Sequence, residues 1–419
     1  MEMPQKFIIE GGRKLNGTIK VGGSKNAALP ILCAALLCHE TVKLTNVPQI
    51  SDICSLVTIF EALGVQIKFE GTTLEINASN LNLSEVPEDL ICSMRASMLL
   101  FGPLLSRFDE VTLPFPGGCV LGKRSIFSHT HALQSLGAQV VETSDRIQMK
   151  MIKRQSAIII MPELSVTATE NAIMLAALTP GLSQIRLAAA EPHVQDLCHF
   201  LNQMGAKISG IGNHFLQIEG VEKLHGTEYA ITGDYLEAGT YAIAGLLTQG
   251  ELRIEGIPTN QLDSLWQKFA EMGASLKLED NAITVSASSN LVATTIRTAV
   301  YPSFPTDLQA PFSVLLTQAE GESQVFETLF EGRLNYLFEL EKMGANIQML
   351  NPHQATIKGK TQLHGVPIAS IDIRAGAAMV LAALCAEGTT EISNIKYIDR
   401  GYERLEEKLT SLGASMRRL

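Results

Sequence analysis

The sequence lacks several features that would assign it to a common class of protein. No apolar run reaches the about 18 residues that a membrane-spanning helix requires, and the N-terminus has no charged segment followed by an apolar signal core, so we expect a cytoplasmic protein with no membrane partner. Positive charge is also scarce, because 33 Lys and Arg face 43 Asp and Glu. The formal net charge of −10 argues against nucleic acid as a partner.

Motifs of the common enzyme classes are also missing. The chain has no Gly-x-Ser-x-Gly, no His-Glu-x-x-His and no Walker loop, which excludes the usual hydrolase, zinc-protease and P-loop functions. The nine histidines do not cluster at ligand spacing, so we expect no metal site. The seven cysteines form no regular Cys-x-x-Cys pairs, which predicts free thiols. Most are expected to be small core residues within apolar helices, namely Cys33, Cys38, Cys54, Cys198 and Cys385.

One pattern that is present recurs six times. A Leu or Met is followed by Gly and then a small apolar residue at intervals of about 70 residues. A helical pattern precedes each glycine, which is expected to take the left-handed conformation that ends a helix. The six glycines are Gly64, Gly137, Gly205, Gly273, Gly344 and Gly413.

Each copy shows the same order of hydrophobic patterns. Two short alternating runs follow the glycine, as at 275–279 and 282–286, and predict a hairpin. A strand such as 184–187 and a more apolar helix such as 171–178 lie upstream. The unit is therefore predicted as strand, helix, strand, helix, strand, strand, which is an α/β class. Six units in 419 residues most simply divide into two groups of three.

Polar residues recur at the starts of the predicted helices, where unpaired amides and the helix dipole favour an anion. Asp52 and Glu170 have capping as an alternative role. Lys25, Arg95 and Arg374 are different, because the dipole disfavours a cation at a helix start, and we interpret them as anion-binding residues. The other polar residues at these positions are Asn26, Asn171, Glu191, Glu237, Asp307, Arg333 and Arg400.

The loop at 114–124 reads Pro-Phe-Pro-Gly-Gly-Cys-Val-Leu-Gly-Lys-Arg. Its three glycines give the backbone freedom to fold over a ligand and leave Cys119 accessible. Lys123 and Arg124 favour the thiolate of Cys119 if they face the same ligand. The loop thus predicts a functional thiol, with a packed structural cysteine as the alternative.

These residues resemble the enolpyruvyl transferase family, which includes the shikimate-pathway synthase, over essentially the whole chain. The resemblance implies an inside-out α/β barrel in each of two domains, with three units per domain. Residues 1–22 plus 233–419 form the domain that carries Asp307, Arg374 and Arg400, and residues 23–232 form the domain that carries Lys25, Arg95 and the Cys119 loop. The matching segments are 23–27, 94–97, 116–119, 301–307, 372–375 and 398–404.

The resemblance also implies the reaction. The 3′-hydroxyl of UDP-N-acetylglucosamine attacks C2 of phosphoenolpyruvate and phosphate leaves, the first committed step of bacterial peptidoglycan synthesis, with no cofactor and no metal. Cys119 is the implied proton donor and the target of fosfomycin-type epoxides, and Asp307 is the implied contact of the attacking hydroxyl. Lys25, Arg124 and Arg400 hold phosphoenolpyruvate. The remaining implied binding residues are Asn26, Arg95, Ser165, Val166, Thr306, Leu329, Arg333, Asp372 and Arg374.

The acceptor side departs from the family's pattern. A Lys of the family is replaced by Glu163 and an Asp that helps to read uracil is replaced by Phe127, and further departures fall at Ser125, Thr167 and Tyr235. The same chemistry on another nucleotide sugar or a nucleoside phosphate is therefore a second hypothesis. A third is a non-catalytic repeat scaffold, although the cations sit singly at helix starts. The sequence leaves the oligomeric state open.

Overall fold

The computed structural model describes residues 5–117, 125–286 and 290–419. Two compact units divide the chain. We call the described residues up to Gly22 and from Gly233 to Leu419 the terminal unit, and those from Gly23 to Thr232 the central unit. Each unit has its own cluster of buried apolar side chains, and the two clusters share no residue.

The helices of the described residues alternate with short strands. The α-helices are α1 (Lys25–Ala35), α2 (Ser51–Ala62), α3 (Glu88–Ser93), α4 (Phe101–Arg107), α5 (Phe127–Ser135), α6 (Val166–Ala177), α7 (Pro192–Gln203), α8 (Tyr235–Leu247), α9 (Asp263–Glu271), α10 (Thr306–Thr317), α11 (Leu337–Lys342), α12 (Ile373–Cys385) and α13 (Leu405–Ser411). Short 3₁₀ helices span Arg95–Leu100, Thr259–Leu262 and Ile395–Arg400.

The strands form small sheets. In chain order they are β1 (Phe7–Glu10), β2 (Asn16–Lys20), β3 (Val42–Thr45), β4 (Gln66–Glu70), β5 (Thr73–Asn77), β6 (Glu110–Pro114), β7 (Ala138–Glu142), β8 (Arg146–Met151), β9 (Ile158–Ile160), β10 (Leu182–Arg186), β11 (Lys207–Ser209), β12 (Phe215–Glu219), β13 (Glu228–Ala230), β14 (Glu251–Glu255), β15 (Ser275–Glu279), β16 (Ala282–Ser286), β17 (Thr295–Arg297), β18 (Gly321–Phe326), β19 (Asn346–Asn351), β20 (Gln354–Gly359), β21 (Pro367–Ala369), β22 (Thr389–Ser393) and β23 (Ser415–Arg418).

Six sheets of the described residues each correspond to one repeat. The repeat built from β9, α6, β10, α7, β11 and β12 has the strand order β11-β12-β10-β9, with β9 parallel to β10 and the other pairs antiparallel. Five sheets have four strands. The mixed α/β class built from repeated units is confirmed, and the hairpin predicted at 275–279 and 282–286 is β15 and β16.

Strands from distant parts of the sequence close three of the sheets. Strand β2 pairs in parallel with β14 in the terminal unit, and β13 pairs in parallel with β3 in the central unit. Strand β1 lies between β22 and β23. The N-terminal 22 residues therefore complete two sheets of the terminal unit, and the segment before Thr232 completes the first sheet of the central unit.

The repeated glycines end helices, as predicted. All six have positive φ angles, between 81° and 108°. At Gly64 the amide of Val65 donates to the carbonyl of Phe60, and the amide of Gly64 donates to the carbonyl of Glu61, which is the Schellman arrangement. The bond from the N–H of the residue after the glycine to the carbonyl five residues earlier recurs in four further copies. The donors there are Ala206, Ala274, Ala345 and Ala414. The sequence period is thus a period of helix ends.

One repeat departs from the predicted order. The sheet of described strands with the order β6-β8-β7 has three strands, and the chain before α4 forms α3 and a 3₁₀ helix instead of a first strand. The acidic residues Glu88 and Asp89 in the first turn of α3 favour a helix start there, directly after Pro87 at the N-cap. A short helix therefore forms where the repeat pattern predicted a strand.

The cysteine prediction is partly wrong. Cys33, Cys38 and Cys198 are buried as expected, whereas Cys54 is exposed on α2 and Cys385 is half-buried. Cys54 lies on the outward face of an amphipathic helix, and an apolar helical pattern alone does not separate the two faces. Among the described residues, no helix is both long enough and apolar enough to cross a bilayer.

Two glycines adjoin the points where the chain passes between the units. A Cβ on Gly23 would lie 1.7 Å from the carbonyl oxygen of Asn46, and a Cβ on Gly233 would lie 1.9 Å from the carbonyl oxygen of Gly256. Both neighbours are backbone atoms, so the chain itself would have to move to admit a side chain.

Gly23→Ala is therefore expected to destabilise the protein by about 3 kcal/mol, the upper end of the usual range for overpacking. The midpoint of urea unfolding measures this change. Gly22→Ala is the matched control, because the nearest atom to its Cβ would be a carboxylate oxygen of Glu403 at 3.3 Å, the end of a flexible side chain. Equal midpoint shifts in the two variants would contradict the expectation.

Candidate active site

Lys25 and Asp52 form a buried ion pair in the central unit. Ser24 caps α1, and Lys25 is the first helical residue. Its Nζ lies 2.8 Å from Oδ2 of Asp52, in the first turn of α2, and the two side chains are 10% and 9% exposed. The carboxylate offsets the unfavourable position of a cation at a helix start. The capping alternative is wrong for Glu170, which lies buried inside α6, where burial raises its pKa.

Arg95 begins the 3₁₀ helix Arg95–Leu100, and its Nη2 donates to the carbonyl oxygen of Ser125 at 3.0 Å. This bond ties the guanidinium to the residue that follows the predicted thiol loop. Cys119 and Arg124 lie outside the described residues, within 118–124. Their roles stay predictions from the sequence.

A buried histidine network lies beside Arg95, and the sequence did not predict it. Oδ1 of Asn171 accepts the backbone N–H of Gly102 at 2.8 Å, which fixes the amide so that its Nδ2 donates to Nδ1 of His129 at 2.9 Å. The other ring nitrogen, Nε2, lies 3.0 Å from Oγ1 of Thr167 and carries the proton. Burial, with the charge of Arg95, lowers the pKa of His129 to about 3. The network is therefore neutral.

Two of the residues expected to bind the acceptor begin α6, and two of the departures from the family's pattern, Phe127 and Glu163, are described with them. Ser165 occupies the N-cap position and Val166 is the first helical residue. The backbone N–H of Ser165 donates to the carbonyl of Glu163, and Oγ of Ser128 donates to the Glu163 carboxylate, both at 2.8 Å. Phe127, at the start of α5, is 57% exposed. This part of the central unit presents a negative charge and an apolar ring.

Asp307 holds two arginines in the terminal unit. Its Oδ1 lies 2.5 Å from Nη2 of Arg333, and its Oδ2 lies 3.1 Å from Nε of Arg374. Both arginine side chains are 6% exposed, whereas that of Asp307 is 27% exposed. Burial raises the pKa of Asp307, but the charges of Arg374 and Arg333 outweigh burial and hold the pKa far below its usual range. Asp307 is therefore ionised.

Arg374 is fixed on three sides. Asp372 caps α12 by accepting the backbone N–H groups of Arg374 and Ala375, each at 2.8 Å. The guanidinium lies over the ring of Tyr402, 5.4 Å from its centroid, and the Tyr402 hydroxyl lies 2.9 Å from Oγ1 of Thr240. Nη1 of Arg374 is buried and has no hydrogen-bond partner among the described residues. A buried donor in this state is suited to an anionic ligand.

Glu327 joins this group and was missed by the sequence analysis. It is fully buried, and its carboxylate accepts the hydroxyl of Thr306 at 2.8 Å and the backbone N–H of Leu329 at 2.9 Å. Ser323, Val325 and Glu327 continue one inward-facing alternation, so an acid at an inward position was the available signal. Arg400 ends the 3₁₀ helix Ile395–Arg400 of the same unit.

Comparison with known proteins shows the family to which the chain belongs. The chain belongs to the EPSP synthase (3-phosphoshikimate 1-carboxyvinyltransferase) family, whose profile matches residues 9–409. Similar proteins named UDP-N-acetylglucosamine 1-carboxyvinyltransferase occur in Methylacidiphilum infernorum (isolate V4), 44% identical over 99% of both chains, and in Treponema denticola, 43% identical over 98% of both chains.

Two solved structures share the fold. The enolpyruvyl transferase NikO from Streptomyces tendae has a TM-score of 0.91 at 24% identity and covers 99% of both chains. An EPSP synthase from Acinetobacter baumannii has a TM-score of 0.75 at 18% identity and covers 100% of both chains. The predicted family and the predicted fold class are confirmed.

Asp307→Asn is expected to destabilise the protein, because it removes the carboxylate that directly pairs with two buried guanidinium groups. Loss of one partner of a buried pair costs about 3–5 kcal/mol, and the partial exposure of Asp307 favours the lower end. The native pKa is depressed, so the stabilisation is present above the unfolded-state value of about 3.9 and is lost as the pH falls below it.

Urea unfolding of both proteins at pH 7, pH 5 and pH 4 measures the difference. The wild-type advantage should be nearly constant between pH 7 and pH 5 and should narrow at pH 4. An advantage that grew on acidification would contradict the assignment of an ionised Asp307.

Proposed function

We propose that the protein transfers the enolpyruvyl group of phosphoenolpyruvate to the 3′-hydroxyl of UDP-N-acetylglucosamine in the cytoplasm, with release of phosphate. The single observation that carries this proposal is the full-length similarity, at 43–44% identity, to proteins named UDP-N-acetylglucosamine 1-carboxyvinyltransferase. A different nucleotide acceptor is not favoured by these relatives. The reaction is the first committed step of peptidoglycan synthesis.

The reaction conserves atoms and charge in two stages. The hydroxyl loses its proton to a base as its oxygen forms a bond to C2 of phosphoenolpyruvate, and the C2=C3 double bond becomes a single bond as C3 gains a proton, which gives a tetrahedral adduct. The adduct then loses a proton from C3 and its phosphate from C2, which leaves an enol ether. We assign the proton donation at C3 to Cys119, and the recognition of phosphate and carboxylate to Lys25, Arg124 and Arg400.

Arg374 supports the proposed recognition of a substrate anion, because one of its hydrogen-bond donors is unpaired. Nη1 of Arg374 is buried without a partner among the described residues, while Nε of the same side chain is engaged by Asp307. A guanidinium whose Nε is held by Asp307 can direct a second hydrogen bond, from Nη1, to an anion. Such a donor also stabilises the negative charge that develops in the adduct.

Asp307 is suited to orient the attacking hydroxyl. Its carboxylate is ionised and keeps 27% of its surface exposed, so it can accept a hydrogen bond from a sugar hydroxyl. Both arginines make it a weak base in this arrangement. A substrate anion that pairs with Arg374 would weaken the effect of Arg374 on Asp307 and would therefore raise the pKa of Asp307. Removal of the hydroxyl proton by Asp307 would then depend on the bound substrate.

Phosphate release from phosphoenolpyruvate tests the function. The purified protein should release phosphate only when UDP-N-acetylglucosamine is present, and Cys119→Ser should reduce turnover to a few per cent or less because the proton donor is lost. Cys54→Ser is the matched control, since Cys54 is an exposed thiol on α2 to which the proposal assigns no role. No phosphate release by the wild type at saturating acceptor would refute the proposal.

A fosfomycin-type epoxide gives an independent check on the thiol. Intact-mass measurement should find one adduct on the wild type and on Cys54→Ser, and none on Cys119→Ser. An adduct on the Cys119→Ser variant would remove this assignment.

Glu163→Lys is expected to lower the KM for the acceptor about fivefold, the equivalent of about 1 kcal/mol for reversing one exposed charge near a diphosphate. Glu163→Gln is the control that removes the charge without adding another, and it should give a smaller effect. The KM for phosphoenolpyruvate should stay unchanged in both variants. An unchanged KM for the acceptor in Glu163→Lys would contradict a position near the diphosphate.

A further inference from the structure

We infer that Glu327 is a positioning residue that holds the acceptor-binding loop and the start of α10 in one fixed arrangement. The inference rests on the proposed function, in which we assign Thr306 and Leu329, two of the substrate-binding residues that the family resemblance implies, to the acceptor. Glu327 itself is fully buried and contacts no solvent, so it acts through the groups it binds.

The side chain of Glu327 joins two segments that are distant in sequence. Oε2 accepts the hydroxyl of Thr306 at 2.8 Å. Oε1 accepts the backbone N–H of Leu329 at 2.9 Å and that of Phe330 at 3.2 Å. One carboxylate thus satisfies three donors, and Thr306 directly precedes Asp307 in the chain. The loop and the Asp307 turn cannot shift independently without breaking one of these bonds.

The backbone of Glu327 is anchored as firmly as its side chain. Its N–H donates to the carbonyl of His353 at 2.8 Å, and its carbonyl accepts Nδ1–H of the same histidine at 2.9 Å. Thr328 is held next to it by a bond from its N–H to Oγ1 of Thr298 at 3.0 Å and from its hydroxyl to the Thr298 carbonyl at 2.6 Å. These bonds make the carboxylate a rigid support.

The charge of Glu327 also belongs to the Asp307 cluster. Burial lowers the pKa of Arg333, but Asp307, Asp372 and then Glu327 outweigh it and raise the pKa. Pro305 occupies the N-cap of α10 without a side-chain cap, so a carboxylate near this end also favours the helix dipole. Glu327 therefore both holds the hydrogen-bonded segments and contributes negative charge. The Glu327→Gln variant, which is neutral and of similar shape, separates these two effects.

The consequence for the reaction is selective. Glu327 supports Thr306 and the loop at Leu329, both of which we assign to the acceptor. The proposed phosphoenolpyruvate contacts Lys25 and Arg124 belong to another part of the chain, and Arg400 lies in a separate segment, the 3₁₀ helix Ile395–Arg400. Loss of the carboxylate should therefore raise the KM for the acceptor and lower kcat, because a misplaced hydroxyl reacts slowly. The KM for phosphoenolpyruvate should change by less than about twofold.

The test compares Glu327→Ala with Glu327→Gln. The glutamine keeps an oxygen for the two backbone amides and can donate to Thr306, so it should stay within about threefold of the wild type in kcat/KM for the acceptor. The alanine should lose at least about tenfold. Calorimetric titration with UDP-N-acetylglucosamine alone should show the same ranking without turnover. Ser323→Ala is the control, because this buried hydroxyl of β18 has no hydrogen-bond partner in the described part of the chain.

The outcomes separate this inference from the proposed function. A wild type that neither binds the acceptor nor releases phosphate refutes the function. An active wild type with an equally active Glu327→Ala overturns the inference, as does a Glu327→Gln variant as defective as the alanine. If Glu327→Ala does not fold, Thr306→Val replaces it: non-additive effects with Glu327→Gln support the coupling, and additive effects overturn it.

Discussion

The burial of helices α8 and α12 is the constraint on which the candidate site depends. Helices α8 and α12 are buried along almost their whole length, so they have no solvated face on which to place charge. Their first turns nevertheless carry Glu237 and Arg374. Each buried charge is paired: Glu237 with Lys408 at 2.6 Å, and Arg374 with Asp307. Burial thus forces charged side chains into fixed, directed pairs at helix starts, which is what recognition of a small anion requires.

These pairs are weak evidence for stability and stronger evidence for function. A buried ion pair seldom stabilises a protein more than an apolar replacement of similar volume, because desolvation offsets the Coulomb attraction. A core built from Ala, Leu and Ile needs neither Lys25 with Asp52 nor Asp307 with two arginines. These charged groups are explained if an anionic ligand further offsets the cost of their desolvation. The unpaired Nη1 of Arg374 is a donor that such a ligand would satisfy.

The sequence predicted the parts of the molecule that repeat. The period of the six glycines gave the helix ends, because only a left-handed residue satisfies the last carbonyls in this way. It also singled out Asp307, Arg333 and Arg374, which the structure brings into contact. It did not predict Glu327 or the His129 network, since these depend on which buried neighbours need a partner. One expected strand was wrong, because a helix, α3, begins at Glu88 in that part of the chain.

The closure of the sheets explains why two unremarkable glycines matter. A repeat protein that simply stacked its units would leave the first and last sheets incomplete, with open strand edges. Here β2 and β13, at the two chain crossings, complete sheets whose other strands lie far away in sequence. Gly23 and Gly233 follow these strands closely and abut backbone carbonyls. The two segments that complete the sheets therefore exclude a side chain at Gly23 and at Gly233. These glycines lie just before α1 and α8, whose first turns carry the buried charged residues Lys25 and Glu237.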